Sequence, residues 1–172
     1  MFVFAQIVGI AAVALFLLSF QLKKRRQIVL TTCISNCLYV LQYCLLGAFS
    51  GAVLDVLSTV SSFFAAKKNA PAFRPYARAA AIGISVVIAA AGLTLALLQN
   101  SWIELLPIAG ALFQTVGLWF QNEQTIRKFA LAGAPFWLAY NFASQAYGAA
   151  LGSLLSIVSV LVALLRYRRQ PQ

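Results

Sequence analysis

Residues 41–62 read LQYCLLGAFSGAVLDVLSTVSS, and residues 138–159 read LAYNFASQAYGAALGSLLSIVS. A shift of 97 residues lays one over the other. Leu41, Tyr43, Gly51, Ala52, Leu54, Leu57 and Ser62 then meet Leu138, Tyr140, Gly148, Ala149, Leu151, Leu154 and Ser159. Each copy is an apolar run, a turn rich in small residues (GAFSGA or SQAYGA) and a second apolar run, the pattern of two tightly joined helices. Upstream, LSFQ (18–21) resembles LWFQ (118–121), and basic residues follow both. The chain therefore reads as two copies of a three-helix unit.

Around this repeat the composition is that of a membrane protein. Of 172 residues, 62% are hydrophobic and 9% charged, and the mean hydropathy is +0.88. Soluble domains carry about 25% charged residues, and apolar runs of about 20 residues read as spans. Seven spans fit: 2–20, 27–47, 51–66, 79–98, 103–120, 128–145 and 148–165. The expected fold is a single all-α integral membrane domain over 1–172. A three-helix repeat over 1–66 and another over 103–165 flank an Ala- and Gly-rich linker helix, 79–98, with a tail at 166–172. The linker inverts the chain direction, so both units run parallel in a 3+1+3 plan.

The thirteen Lys and Arg fall in four clusters: Lys23–Arg26, Lys67 to Arg78, Arg127–Lys128 and Arg166 to Arg169. With seven spans all four lie on one side of the bilayer, and the other side has none. The positive-inside rule then puts the N-terminus outside and the C-terminus in the cytoplasm. A net charge of +10 distributed this way points to lipid head groups and not to nucleic acid. The N-terminal apolar run lacks the basic start and small-residue cleavage site of a signal peptide, so it reads as a retained span.

Catalytic chemistry is poorly supplied. There is no histidine, and Asp55, Glu104 and Glu123 are the only acids. We expect no enzyme activity, no cofactor and no metal site. Cys33, Cys37 and Cys44 lie in one apolar segment and read as packing residues. The polar side chains instead form helical stripes. Asp55, Ser58, Thr59 and Ser62 share an arc of about 100° in span 3. Trp137, Tyr140, Asn141 and Ser144 do so in span 6, Asn36, Tyr39 and Tyr43 in span 2, and Glu104, Pro107 and Gln114 in span 5. Polar groups in lipid face a bundle interior or a watery cavity. Asn36, Tyr43, Asp55, Trp137, Tyr140 and Asn141 are therefore the candidate solute-binding residues. Asp55 is also the candidate proton or cation site, and Pro107 a candidate hinge. Ser and Thr in such helices often bond their own i−4 carbonyls, the competing structural role for Ser58, Thr59 and Ser62. The small-residue face of span 7 (Gly148, Gly152, Ser156, Ser159) suits helix packing, within the bundle or between copies of the chain.

The segments QLKKRRQIVL, LQYCLLGAFSGAVLD, IELLPIAGALFQT and FWLAYNFASQAYGA resemble the bacterial YgjV-type inner-membrane proteins. The 3+1+3 plan resembles the SWEET, PQ-loop and MtN3-like transporters. The Pro-Gln pair that PQ-loop relatives carry inside a span occurs here only as Pro171-Gln172. These resemblances imply a multi-pass protein of the bacterial inner membrane that transports a small polar solute, neutral or cationic. The alternative is a receptor-like or structural protein of the same fold that moves nothing.

Overall fold

Gly47 ends the second apolar run at the expected turn. Its left-handed backbone (φ 73°) turns its own N–H and that of Ala48 back onto the carbonyls of Cys44 and Tyr43. Glycine adopts that conformation without the steric penalty other residues meet. The computed structural model describes residues 2–143 and 147–167, and among them the chain forms seven α-helices. They are α1 (Phe2–Gln21), α2 (Arg25–Leu46), α3 (Phe49–Lys67), α4 (Ala77–Gln99), α5 (Leu105–Leu118), α6 (Glu123–Ala143) and α7 (Tyr147–Tyr167). Short 3-10 turns, Arg74–Tyr76 and Trp102–Glu104, lead into α4 and α5. The turn expected in SQAYGA, with Ser144, and the tail from residue 168 lie outside the described residues, as do the side chains of Tyr147 and Gly148.

Seven helices are present, but only five of them, α1, α2, α3, α4 and α7, are both long and apolar enough to cross a membrane. The expected fifth span is a 14-residue helix, about 21 Å long at 1.5 Å per residue, against a hydrocarbon core of about 30 Å. The expected sixth span starts at Glu123 instead of 128, which brings Glu123 and Arg127 into the helix. The early start has a local cause. Asn122 accepts bonds at its Oδ1 from the backbone N–H groups of Gln124 (2.8 Å) and Thr125 (3.1 Å), and Glu123 favours the helix N-terminus.

Six helices close into a ring. Neighbours pack in the order α1, α2, α3, α5, α6, α7 and back to α1, while α4 lies outside, across α3 and α5. Polarity is distributed inside out relative to a soluble protein. Ser35, Asn36, Gln42, Asp55, Ser58 and Asn141 are buried, whereas Ile7, Ile10, Val86, Leu97, Leu98 and Leu165 are exposed. That arrangement suits a lipid environment, where the ring interior is the only place to satisfy a polar side chain. The structural role of the hydroxyls is visible in α3: Thr59 donates to the Asp55 carbonyl (2.7 Å) and Ser62 to that of Ser58 (2.8 Å). On α7, Gly152 lets Val13 of α1 approach the backbone closely.

At the basic end, three cations turn inward. Arg127 is only 2% exposed and donates from Nε to the Phe20 carbonyl (3.2 Å) and from Nη2 to that of Leu22 (2.9 Å), at the end of α1. Arg25 donates from Nε to the Phe120 carbonyl (2.8 Å) and from Nη2 to Leu118 (2.7 Å), at the end of α5. The Nη2 of Arg25 also reaches the Ala65 carbonyl in the last turn of α3 (2.9 Å), and Lys68 Nζ donates to the carbonyl of Trp119. Glu123, which the sequence reading leaves between the fifth and sixth spans, accepts the Arg25 backbone N–H at 3.3 Å. The last carbonyls of a helix lack intrahelical donors and carry partial negative charge, so cations there both cap and neutralise them. Burial, helped by the neighbouring positive charge of Arg25, pushes the Lys68 ammonium down to about 8.

Candidate functional site

The ring encloses a cavity of about 50 Å³ lined by all six of its helices. On one side, α1 contributes Phe16 and Phe20, α2 Asn36, Tyr39 and Tyr43, and α3 Asp55. On the other, α5 contributes Gln114, α6 Ala130, Ala134, Trp137 and Asn141, and α7 Ser153, Ser156 and Val160. Five of the six residues singled out from the sequence thus come together: Asn36, Tyr43, Asp55, Trp137 and Asn141. The sixth, Tyr140, is buried with its ring 6.2 Å from that of Trp137, edge to face, behind the lining.

Each polar lining group is placed by its helix face. Asn36, Tyr39 and Tyr43 recur at three- and four-residue spacing on α2, which aligns them along one stripe. Tyr43 OH donates to Asn141 Oδ1 at 3.3 Å, Asn141 Nδ2 to Ser153 Oγ at 3.2 Å, and Ser153 Oγ to the Ala149 carbonyl at 3.0 Å. This chain of bonds ties α2, α6 and α7 at one level of the bundle. A second bond, from Gln114 Nε2 to Asn36 Oδ1 (3.4 Å), ties α5 to α2. Two buried donors of the lining have no hydrogen-bond partner: Asn36 Nδ2 and Trp137 Nε1.

The cavity walls are aromatic. Phe16 meets Phe20 edge to face at 4.9 Å and Tyr39 at 6.4 Å, and Tyr39 stacks on Tyr43 at 6.2 Å. Among the described residues, Asp55 is the one acidic side chain in the lining, and no Lys or Arg lines the cavity. Phe20, Ala130 and Val160 of the lining pack with Ala163 into one apolar cluster, and the Phe20 carbonyl is one that Arg127 holds. Close α5–α6 contact shapes the opposite wall, because a Cβ at Gly110 would fall 2.7 Å from Cδ1 and Nε1 of Trp137.

Other expected features lie elsewhere. Pro107 is buried at the third residue of α5. An N–H in the first turn has no intrahelical acceptor, so proline there removes no helix bond. The proline inside a helix is Pro135 of α6, which cannot donate to the Leu131 carbonyl. Glu104 stands just before α5, outside the cavity lining, with one buried carboxylate oxygen unpartnered. Trp102 is exposed at the end away from the basic clasp, where an aromatic belt would sit. Among the described residues, no group of three or more His, Cys, Asp and Glu is placed to hold a metal.

Sequence reasoning missed Phe16, Phe20 and Ser153 as lining residues and Arg25 and Arg127 as carbonyl ligands. Nothing in the apolar run of α1 marks which Phe faces inward. The arginines carry a signal in hindsight, since each follows the matched LSFQ or LWFQ segment by a few residues.

The sequence model of the family Imp-YgjV, described as bacterial inner membrane protein, matches residues 3–171. Neither the curated proteins nor the solved structures give a match to the chain.

Proposed function

For a chain that belongs to the Imp-YgjV family of bacterial inner membrane proteins, we propose transport of a small polar solute, neutral or cationic, through the six-helix ring. One observation carries this reading: a polar and aromatic cavity with a single acid lies inside the bundle and is lined by every helix of the ring. A helix bundle that serves only as scaffold has no need to keep two buried donors unpaired, each at a cost of about 1–3 kcal/mol.

The ring order supports a SWEET-like 3+1+3 plan. Exchanging α1 with α5, α2 with α6 and α3 with α7 carries the α1–α7 contact onto the α5–α3 contact, and both exist. The two arginines obey the same exchange: Arg25 of α2 holds the end of α5, and Arg127 of α6 holds the end of α1. Such a pseudo-two-fold around a central site is the architecture of parallel-repeat transporters. In this reading the basic end is cytoplasmic by the positive-inside rule, with the N-terminus outside. The clasp of Arg25, Lys68 and Arg127 is then the inner gate. Passage requires these carbonyl bonds to release, and Pro135, two residues before Trp137, gives α6 a point at which to bend.

Uptake by proteoliposomes tests the assignment. Asn141→Ala and Trp137→Ala should each abolish or strongly reduce counterflow of a bound solute. Unchanged uptake in both variants would remove the cavity as the path. Binding without any uptake would instead favour the alternative, a receptor-like protein of the same fold.

A further inference from the structure

The chemistry of the cavity narrows the solute. The cavity, about 50 Å³, has room for a small solute and several polar groups to receive it.

The lining holds the carboxyl of Asp55 together with Tyr39, Tyr43 and Phe16 and, among the described residues, no Lys or Arg. An acid held among aromatic faces favours a positively charged partner, through direct pairing and through attraction of the cation to the rings. Elsewhere in the lining stand the unpaired donors Asn36 Nδ2 and Trp137 Nε1, with Asn36 only 1% exposed. Unpaired buried donors call for an acceptor oxygen.

Taking the cavity as the solute site, as proposed above, we infer that it is built for a small amine that also carries an oxygen acceptor, as amino alcohols and amino acids do. The ammonium pairs with Asp55, and the hydroxyl or carboxylate oxygen receives the Asn36 and Trp137 donors. Both ends are needed: the acid alone selects any small cation, and the donors alone select any small oxygen compound.

The test is isothermal calorimetry on the protein in nanodiscs with ethanolamine, glycine, methylammonium, propionate and glucose. Ethanolamine or glycine should bind at least about tenfold more tightly than methylammonium or propionate, the loss expected for one missing strong hydrogen bond. Asp55→Asn should weaken ethanolamine binding by about ten- to a hundredfold. Its melting temperature shows whether the variant is folded, and Trp137→Phe provides an independent arm by narrowing the preference for ethanolamine over methylammonium. Failure of both ethanolamine and glycine to bind at up to about 10 mM, above the usual range of Km, overturns the inference. So does tighter binding of propionate or glucose, or an unchanged ethanolamine affinity in Asp55→Asn. Binding by these amines without uptake in proteoliposomes keeps this inference and removes transport. Uptake of a different solute with no amine binding does the reverse.

Discussion

Gly110 and Trp137 are in direct apposition across the α5–α6 interface, with the indole edge occupying the space a Cβ at position 110 would need. The absence of a side chain on one helix thus sets the position of the largest ring in the cavity wall. Gly110→Ala should destabilise the protein by about 1–3 kcal/mol through overpacking and displace Trp137. A lower melting temperature with an altered Trp137 fluorescence maximum, read in a Trp102→Phe, Trp119→Phe background, would show it. An unshifted spectrum would mean that the helices separate instead of the ring moving.

Arg127 bonds two carbonyls two residues apart, which a guanidinium can span and an ammonium cannot. Arg127→Met should cost about 2–4 kcal/mol by leaving the end of α1 uncapped within the bundle. Arg127→Lys should recover only part of that loss despite keeping the charge. Thermal unfolding in detergent distinguishes the two, and equal stability of wild type and Arg127→Lys would refute the two-carbonyl role.

The Tyr43–Asn141–Ser153 chain predicts a graded response. Tyr43→Phe removes one hydroxyl donor and should cost about 1 kcal/mol. Asn141→Ala strands both Tyr43 OH and Ser153 and should cost about 2–3 kcal/mol. The double variant should cost less than the sum, since both remove the same bond, and a double-mutant cycle on melting data checks this.

Lys68 gives a pH signature. Its pKa falls from the ordinary lysine value to about 8 in the folded protein. Between pH 8 and 10.5 the unfolded chain then holds more protons at this site than the folded one, so stability rises with pH across that window. The melting temperature of wild type should gain on that of Lys68→Met from pH 8 to 10. A constant difference would show that the ammonium keeps its ordinary pKa.

Pro135 leaves the Leu131 carbonyl without its helix donor. Pro135→Ala should stabilise α6 by about 1–3 kcal/mol. If α6 bends during transport, the same variant should also lower the initial uptake rate. A stabilised protein with unaltered uptake would place the moving part elsewhere.

What could be read from the sequence, and what could not, follows from the range of the forces involved. The turn at Gly47 and the stripe of Asn36, Tyr39 and Tyr43 are local, set by backbone conformation and helical period, and both were legible. Asp55 and Asn141 were legible because polar groups are rare enough in such helices that each must be accounted for. The inward turn of Phe16 and Phe20 was not, because α1 is apolar on every face and its orientation is set by neighbours. Nor was the start of α6 at Glu123, although the Asn122 cap that causes it is a local signal. The basic residues there suggested an exposed loop, and only the tertiary contact of Arg127 with α1 shows that a buried arginine has acceptors waiting.

The clasp at the basic end also divides the cations of the KKRR run (23–26) by how freely they can be exchanged. Lys23, Lys24 and Arg26 are exposed, and any positive side chain at those positions keeps the local charge. Arg25 threads between the ends of α3 and α5 and holds three carbonyls at once. Sequence drift through this run should therefore swap lysine and arginine at its outer positions while leaving the third untouched, with the same restriction at 127.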